Sequence, residues 1–424
     1  MTTLDTVVVG AGHAGLAVSR LLTDAGRDHV VLDRGRVGER WRTERWDSLH
    51  LLTPSWMTRL PGWSYAGPDP DGYLSARQFI GLLEDYAESF DAPVVEDTTV
   101  LSIAAVGDDP RRRYRIVSTD GTWHARNVVI ATGPHGTPYV PEGLADVDTI
   151  TSNNYRNPDQ LGPGGVLVVG ASSSGVQIAD ELNRAGRDVT LAVGRHTRMP
   201  RRYRGMDIFW WLEMTGRLAR TIDDVSDPEA ARREHSLQLV GRNDPTKSAQ
   251  DLDLGVLRAR GVRLVGRLES VTGRRARFRS DLTTSIATAD EAMDRLLESA
   301  DRFVDRAGLA REVWASPRPR PIEVPPAPEH LDLRAEGIGT VLVAAGYRPE
   351  LPWLRLPITD SNGSLRQYRG ATPAAGLYVV GQRFQHRRDS GYIDGARHDA
   401  HDVVAHLTAN TRCGTGSRTR ESAA

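Results

Sequence analysis

Thr6-Val7-Val8-Val9-Gly10-Ala11-Gly12-His13-Ala14-Gly15 decides the fold; Leu16, Leu21 and Leu22 follow, then Ala25-Gly26. The valine run predicts a strand, the leucine spacing a helix, and the glycines the turn between them. Gly10 permits the tight turn, Gly12 lets a pyrophosphate approach the backbone, and Gly15 lets helix and strand pack closely. The pyrophosphate then meets the free N–H groups at the positive end of the helix. A second strand, His29-Val30-Val31-Leu32, ends in Asp33, 23 residues after Gly10, where an acid accepts hydrogen bonds from ribose hydroxyls. A lone GxGxxG is weak evidence, but here strand, helix and terminal acid follow in order.

The pattern recurs. Val166-Leu167-Val168-Val169 leads into Gly170-Ala171-Ser172-Ser173-Ser174-Gly175, then a helix to Ala185-Gly186 and a strand Val189-Thr190-Leu191-Ala192-Val193. Ser172 takes the middle glycine's place. The strand ends differ: Asp33 closes the first unit, whereas Gly194-Arg195 closes the second, with Arg198, Arg201, Arg202 and Arg204 behind it. A carboxylate repels a 2′-phosphate and an arginine grips it bidentately, so the second unit reads as an NADPH site. The later arginines also read as a solvated face.

Composition narrows the rest. The chain has 424 residues, enough for two or three domains. Its 54 basic against 55 acidic residues leave a net charge of −1, which argues against a nucleic-acid binder. Lys247 is the sole lysine and follows no glycine-rich loop, which excludes a Walker phosphate loop and leaves a Schiff base little support. Cys413 is the sole cysteine, so disulfide frameworks, cysteine-rich zinc sites and paired-thiol redox chemistry within one chain are excluded. No run of about 18 apolar residues and no leader pattern is seen, so a soluble, cytoplasmic protein without a membrane contact is expected. Redox chemistry must then rest on bound cofactors. No GxSxG elbow supports a hydrolase.

The threading is legible from three further strands. They are Val128-Val129-Ile130 before Ala131-Thr132-Gly133, Val341-Leu342-Val343 before Ala344-Ala345-Gly346, and Leu377-Tyr378-Val379-Val380 before Gly381. The expected class is α/β with two Rossmann-like dinucleotide-binding domains, one inserted into the other. The NADPH domain, with a helical insertion, spans 163–340; the outer domain comprises 1–162 and 341–410. Residues 411–424 are expected to be a disordered tail carrying Cys413. Six prolines between Pro317 and Pro328 read as a strap or linker. Arg111-Arg112-Arg113 reads as a hairpin turn, and Tyr203 to Leu212 as aromatic packing of the inserted domain or, second, a substrate lid or membrane-surface contact. His398, His401 and Asp402, at helical spacing, read as helix-surface polarity, and no metal is expected.

The chain resembles the class B flavoprotein monooxygenases over about residues 5–408. Within that class it is similar to bacterial flavoproteins labelled as potassium-transport proteins and to plant YUCCA-type enzymes. The resemblance rests on both fingerprints, on Gly38-Glu39-Arg40-Trp41, on Arg45-Trp46-Asp47-Ser48-Leu49-His50-Leu51 with Thr53-Pro54, and on Ala344-Ala345-Gly346-Tyr347-Arg348-Pro349. It implies FAD at the first fingerprint, NADPH at the second, and O2 with a small organic molecule as co-substrates. Implied cofactor-binding residues are Gly10, Gly12, Ala14, Gly15, Asp33, Arg34, Arg40, Trp41, Val100, Ala131, Thr132 and Gly133 on the flavin side. Gly170, Ser172, Ser173, Ser174, Gly175, Arg195, Ala345, Gly346, Gly381, Gln382 and Tyr392 complete the set. Arg40, Trp41, Asp47 and Tyr155 are the candidate catalytic residues.

The family's linker signature, Phe-x-Gly-x-x-x-His-x-x-x-Tyr, is largely missing. With Tyr155 as its last aromatic, Thr151 takes the histidine's place, Val147 the glycine's and Ala145 the phenylalanine's. The implied activity is oxygenation through a flavin C4a-(hydro)peroxide, N- or S-oxygenation ahead of Baeyer–Villiger insertion. The last helix, entered through Ser390-Gly391-Tyr392-Ile393-Asp394-Gly395, is the candidate to stabilise reduced flavin. Arg40, Arg383, Arg387 and Arg388 are candidate cations for a ketone reaction. Thr151 motivates an alternative, an NADPH oxidase or dehydrogenase without oxygenation. A nucleotide-sensing regulator is the non-catalytic rival. Oligomeric state stays open, a homodimer included.

Overall fold

The computed structural model describes residues 2–107, 109, 111–144, 147–239, 251–324 and 326–415. Lys247 and Ala145 lie outside them.

The valine-rich opening run forms the strand Thr2–Val9 and the leucine pattern the helix His13–Asp24, which buries Leu16, Ala17, Val18 and Leu22. Thr2–Val9 pairs in parallel with His29–Leu32 on one side and Gly121–Ile130 on the other. The strand Gly121–Ile130 then divides its partners. Residues 121–125 pair antiparallel with Tyr114–Ser118, and 128–130 pair in parallel with Leu377–Val379. The first sheet is thus closed by a strand from near the other end of the chain. Val94–Val95 and Val100–Ala105 complete it, and the loop 111–113 joins Val100–Ala105 to its antiparallel neighbour.

The second sheet is parallel throughout, in the order Thr149–Thr151, Ile338–Val343, Gly165–Val169, Val189–Ala192, Arg263–Val265. Both strands beside the second glycine turn are buried at every position, as expected of a sheet covered on two faces. Its membership differs from the expected limits of 163 and 340. Thr149–Thr151 precedes the first limit, and Val341, Leu342 and Val343, placed in the outer domain, pair within this sheet. A three-residue strand carries no readable alternation. It is fixed by distant partners: Val341 N–H donates to the Asp148 carbonyl at 2.8 Å, and Thr340 Oγ1 to Asp148 Oδ2 at 3.0 Å.

Helix Ile208–Met214 and the 26-residue helix Leu282–Ala307 fall between strands of the second sheet. Phe209, Trp211, Tyr203, Met293, Leu297 and Val304 form one buried cluster, so the aromatic stretch serves chiefly as packing. The last helix, Ile393–Thr415, lies against His13–Asp24 through Ala396, Ala400, Val403 and Leu407. It extends into the tail expected to be disordered from 411, because no proline or glycine interrupts it between Ala396 and Cys413. Residues 416–424 lie outside the described residues. Among the described residues no helix is long and apolar enough to cross a membrane.

Candidate functional site

The first glycine turn has the shape its spacing demands. Gly10 has φ +110°, and a Cβ there would stand 2.7 Å from the Ala131 carbonyl oxygen. A Cβ on Gly15 would collide with the Gly10 carbonyl oxygen, so helix and strand touch through backbone alone. At Gly12 a Cβ would meet nothing within 4 Å. That space lies at the start of His13–Asp24, where helix N–H groups lack intrahelical partners. Asp33 holds the strand end. Its Oδ2 accepts from Ala11 N–H at 2.6 Å and its Oδ1 from Gly35 N–H at 3.1 Å. Burial pushes its carboxyl up, and those two N–H groups oppose the shift.

Other expected residues converge there. Gly381, φ +77°, lies so close to Ala14 that a Cβ would stand 2.9 Å from the alanine methyl. Ala131 is buried, Thr132 and Gly133 are half-buried, and Gln382 N–H donates to Gln385 Oε1 at 3.3 Å. His13, the first helical residue, has its pKa lowered to about 4 by burial, and its Nε2 is a buried polar atom without a partner. An open cradle, free helix N–H groups and an orphaned ring nitrogen fit a bound dinucleotide such as FAD. Val100 is buried at a strand start, whereas Arg34 is exposed and paired with Glu44.

The second turn repeats this build. Gly170 has φ +109°, with its Cβ position 2.5 Å from the Ala344 carbonyl oxygen, and a Cβ on Gly175 would strike the Gly170 carbonyl. Ser172 stands where Gly12 does and makes no capping hydrogen bond, leaving its hydroxyl for a ligand. Gln238 Nε2 donates to the Ala171 carbonyl at 2.6 Å, while its Oε1 is buried without a partner. Ala345 and Gly346 follow the adjoining strand and are exposed.

Arg195 is exposed, with no ion-paired carboxylate among the described residues. His235 beside it is lowered to about 4 by burial and by the cations Arg195, Arg383 and Arg267 and His196. The arginines behind Arg195 divide differently than expected. Arg198 is buried against Asp253 and Asp290 at 2.8 and 2.6 Å, Arg201 is fully buried on Asp207, and Arg204 meets Asp301 at 2.7 Å. Their carboxylates are already supplied, so they clamp the helix Leu282–Ala307 and its neighbours instead of reaching a phosphate.

We read a cleft where His13, Arg45, His135 and Tyr392, all half-buried, gather within electrostatic reach of one another or of Arg383. Its electrostatics are positive. His135 is lowered to about 3, by burial first and then by Arg45, Arg40 and Arg383. Burial also lowers Arg45, whose guanidinium lies 5.4 Å above the Trp41 ring. Arg40 pairs with Glu44 at 3.1 Å and reaches the Gly136 carbonyl at 3.4 Å. Trp41 packs edge-on against Phe79, with centroids 4.9 Å apart.

Two expected catalytic residues lie away from the cleft. Tyr155 is fully buried, and its hydroxyl donates to Glu181 Oε2 at 2.7 Å; it anchors the core beneath the second sheet. Asp47 is exposed and accepts from Asn157 Nδ2 at 2.7 Å. Thr151 ends the strand Thr149–Thr151, with His135 and Tyr347 packed edge-on nearby in the fold at 4.7 Å. Sequence reasoning missed His13, Arg45, His135, Asn153 and Tyr347. The only signal was their position just after or within fingerprint segments. Of the candidate cations, Arg387 is spent on Asp389 and Arg388 on Glu234, while Arg383 is exposed and has no ion-paired carboxylate among the described residues.

The profile of the pyridine nucleotide-disulphide oxidoreductase family matches residues 7–208. The chain is 29% identical over 416 residues to a protein of Geobacillus kaustophilus named uncharacterized oxidoreductase CzcO-like, covering 95% of this chain and 97% of that one. It is 34% identical over 197 residues to indole-3-pyruvate monooxygenase YUCCA6 of Arabidopsis thaliana, covering 44% of this chain and 47% of that enzyme. Among solved structures, a flavin-containing monooxygenase from Stenotrophomonas maltophilia matches with TM-score 0.64 and 21% identity, covering 97% of this chain and all of that one. That likeness shows the shared fold.

Proposed function

We propose that the chain is a class B flavoprotein monooxygenase that oxygenates a small organic substrate at a soft nitrogen or sulfur atom, a reading that the flavin monooxygenases among its relatives support. The balance is substrate plus O2, NADPH and a proton giving oxygenated substrate, NADP+ and water. What FAD supplies when bound is passage of two electrons from NADPH to O2, which splits between substrate and water. The protein's part is binding, orientation and exclusion of water.

We assign FAD to the first sheet, with Gly10, Gly12, Ala14, Gly15 and Asp33 holding it and Ala131, Thr132, Gly133, Gly381 and Gln382 completing the cradle. The second sheet, whose strands interrupt the first in sequence, carries NADPH on Gly170, Ser172, Ser173, Ser174, Gly175 and Arg195, with Ala345 and Gly346 beside them. Trp41, Val100 and Tyr392 border the flavin. Arg40 and Arg45 supply positive potential to the cleft, and His135 stays neutral near pH 7. One observation carries this reading: two turns of the same build end in opposite charges, Asp33 and Arg195.

Thr151 favours a second reading, an NADPH oxidase, because no imidazole occupies the position where the family has one. Coupling separates the two. Purified enzyme with NADPH in air is offered thioanisole, N,N-dimethylaniline and cyclohexanone, while NADPH consumed, product and H2O2 are measured. Sulfoxide or N-oxide formed in step with NADPH supports the proposal. Ester as the main product transfers it to ketone insertion. NADPH consumption returned wholly as H2O2 with every probe overturns it for the oxidase.

A further inference from the structure

Each glycine turn follows a central strand with one partner on either side, and the two partners end differently. In the first sheet Thr2–Val9 lies between His29–Leu32, which ends at Asp33, and Gly121–Ile130, which leaves through Ala131, Thr132 and Gly133. In the second, Gly165–Val169 lies between Val189–Ala192, which leads to Arg195, and Ile338–Val343, which leaves through Ala344, Ala345 and Gly346. A dinucleotide laid across such a turn has its pyrophosphate on the helix and its two ends over opposite neighbours. With the adenosine ends at Asp33 and Arg195, both reactive rings fall over the other two strand exits.

Those two exits are joined. Thr137–Pro138 pairs antiparallel with Tyr347–Arg348, and Tyr139 N–H donates to the Gly346 carbonyl at 2.9 Å. A Cβ on Gly136 would collide with the Arg348 carbonyl oxygen, so the two segments pass backbone against backbone. His135 stands at this junction, between Gly133 and the pairing, with its ring edge-on to Tyr347 and the centroids 4.7 Å apart. The Tyr347 hydroxyl is bonded to Asn153 Oδ1, so the ring that orients His135 is itself fixed. Neither ring nitrogen of His135 hydrogen-bonds a described residue, and neither is closed off from water. Burial, Arg45, Arg40, Arg383 and His13 hold the imidazole neutral, lowering it to about 3. A neutral ring offers one N–H donor and one nitrogen acceptor.

We propose that His135 hydrogen-bonds the carboxamide of the nicotinamide and so holds that ring at the joined strand exits, where the flavin ring also lies. This rests on the assignment of FAD to the first turn and NADPH to the second. A carboxamide presents a carbonyl acceptor and an NH2 donor, so either nitrogen of a neutral imidazole finds a complement on it. The pyrophosphate and the 2′-phosphate are provided for at the second helix start and at Arg195, which leaves the nicotinamide end to be fixed from the other strand exit.

The test is calorimetric titration of the oxidised, FAD-loaded enzyme with NADP+ and with 2′-phospho-ADP-ribose, which ends in ribose where NADP+ carries nicotinamide. Wild type should bind NADP+ about five- to tenfold tighter, the step that one good hydrogen bond supplies. H135F keeps a ring against Tyr347 and removes both nitrogens. Its NADP+ affinity should fall to that of the analogue, while its affinity for the analogue stays within about twofold of wild type. H135Q, which keeps a donor and an acceptor, should retain part of the preference. Equal binding of the two molecules by wild type overturns the proposal without any variant. So does a full preference kept by H135F, or a loss in H135F shared equally by both molecules. Binding of neither molecule by wild type refutes NADPH at the second turn and the proposal with it, and is thereby distinguished from a failure of His135 alone.

Discussion

The Tyr347 hydroxyl donates to Asn153 Oδ1 at 2.7 Å, joining the chain after Ile338–Val343 to the chain after Thr149–Thr151. Asn153 is buried, and its Nδ2 donates in turn to Glu44 Oε2 at 3.2 Å, while the Tyr347 ring packs against His135. Three segments that cross between the sheets meet through one amide. Replacing Asn153 with Ala leaves Glu44 and Tyr347 each short of a partner, and should cost about 1–3 kcal/mol of stability. Chemical denaturation of N153A, Y347F and the double variant checks it. The two losses should add to clearly more than the double variant shows, because either change breaks the same bond.

Gly12 and Gly15 should fail in different ways. The Gly12 backbone is extended, with φ −81°, and a methyl there meets open space, so G12A should fold normally. It should nonetheless lose flavin, because the methyl fills the approach to the pyrophosphate. G15A must push helix from strand and should give little folded protein. The readouts are the ratio of flavin to protein absorbance and the yield of folded chain. Full flavin content in G12A would remove the pyrophosphate from that position.

These contrasts also mark what the sequence made legible. Each glycine turn is a constraint between residues a few positions apart, so spacing alone located both, together with Asp33 and Arg195. The roles of Arg198, Arg201 and Arg204 were not legible, since their partners Asp253, Asp290, Asp207 and Asp301 are selected by the packing of helix Leu282–Ala307. Tyr155 carried a motif position but no sign that Glu181 would bury its hydroxyl. Arg45, His135 and Tyr347 come from three segments, and nothing in any one of them announces the others. Thr149–Thr151 is too short for its side to be read.

Arg195 should govern the choice of nucleotide. It is exposed at the end of the strand Val189–Ala192 and flanked by cations, with no carboxylate to satisfy it among the described residues. A charge-assisted bond to phosphate contributes about 1.5–3 kcal/mol, so R195A should lower kcat/KM for NADPH roughly ten- to a hundredfold. The value for NADH should hardly change. Steady-state rates with both nucleotides decide it, and an unchanged preference refutes the assignment. By contrast R198A strands two buried carboxylates and should appear as lost stability, about 3–5 kcal/mol for a broken buried pair.

Asp399 should set a pH dependence of stability at the base of the last helix. Burial raises its carboxyl to about 7, only partly offset by the Ser390 hydroxyl, which donates to Oδ1 at 3.1 Å; Asp389 and Asp402 add to the rise and Arg387 opposes it. Its Oδ2 has no partner, whereas Asp402 lies 2.9 Å from His386 Nδ1, and Arg369 meets the other ring nitrogen. The sign follows from the protons bound. Between the unfolded value near 3.8 and about 7 the folded protein holds the proton and the unfolded chain releases it, so Asp399 makes stability fall as pH rises through that window. The buried histidines His13 and His135, lowered to about 4 and 3, act oppositely, losing stability as pH falls below 6.5. The difference between wild type and D399N cancels their contribution. D399N, which keeps the shape and cannot ionise, should gain stability over wild type progressively from pH 4 to 7 and hold that gain at pH 8. Thermal unfolding of both proteins across this range measures it, and a constant difference between them would show that Asp399 does not titrate there.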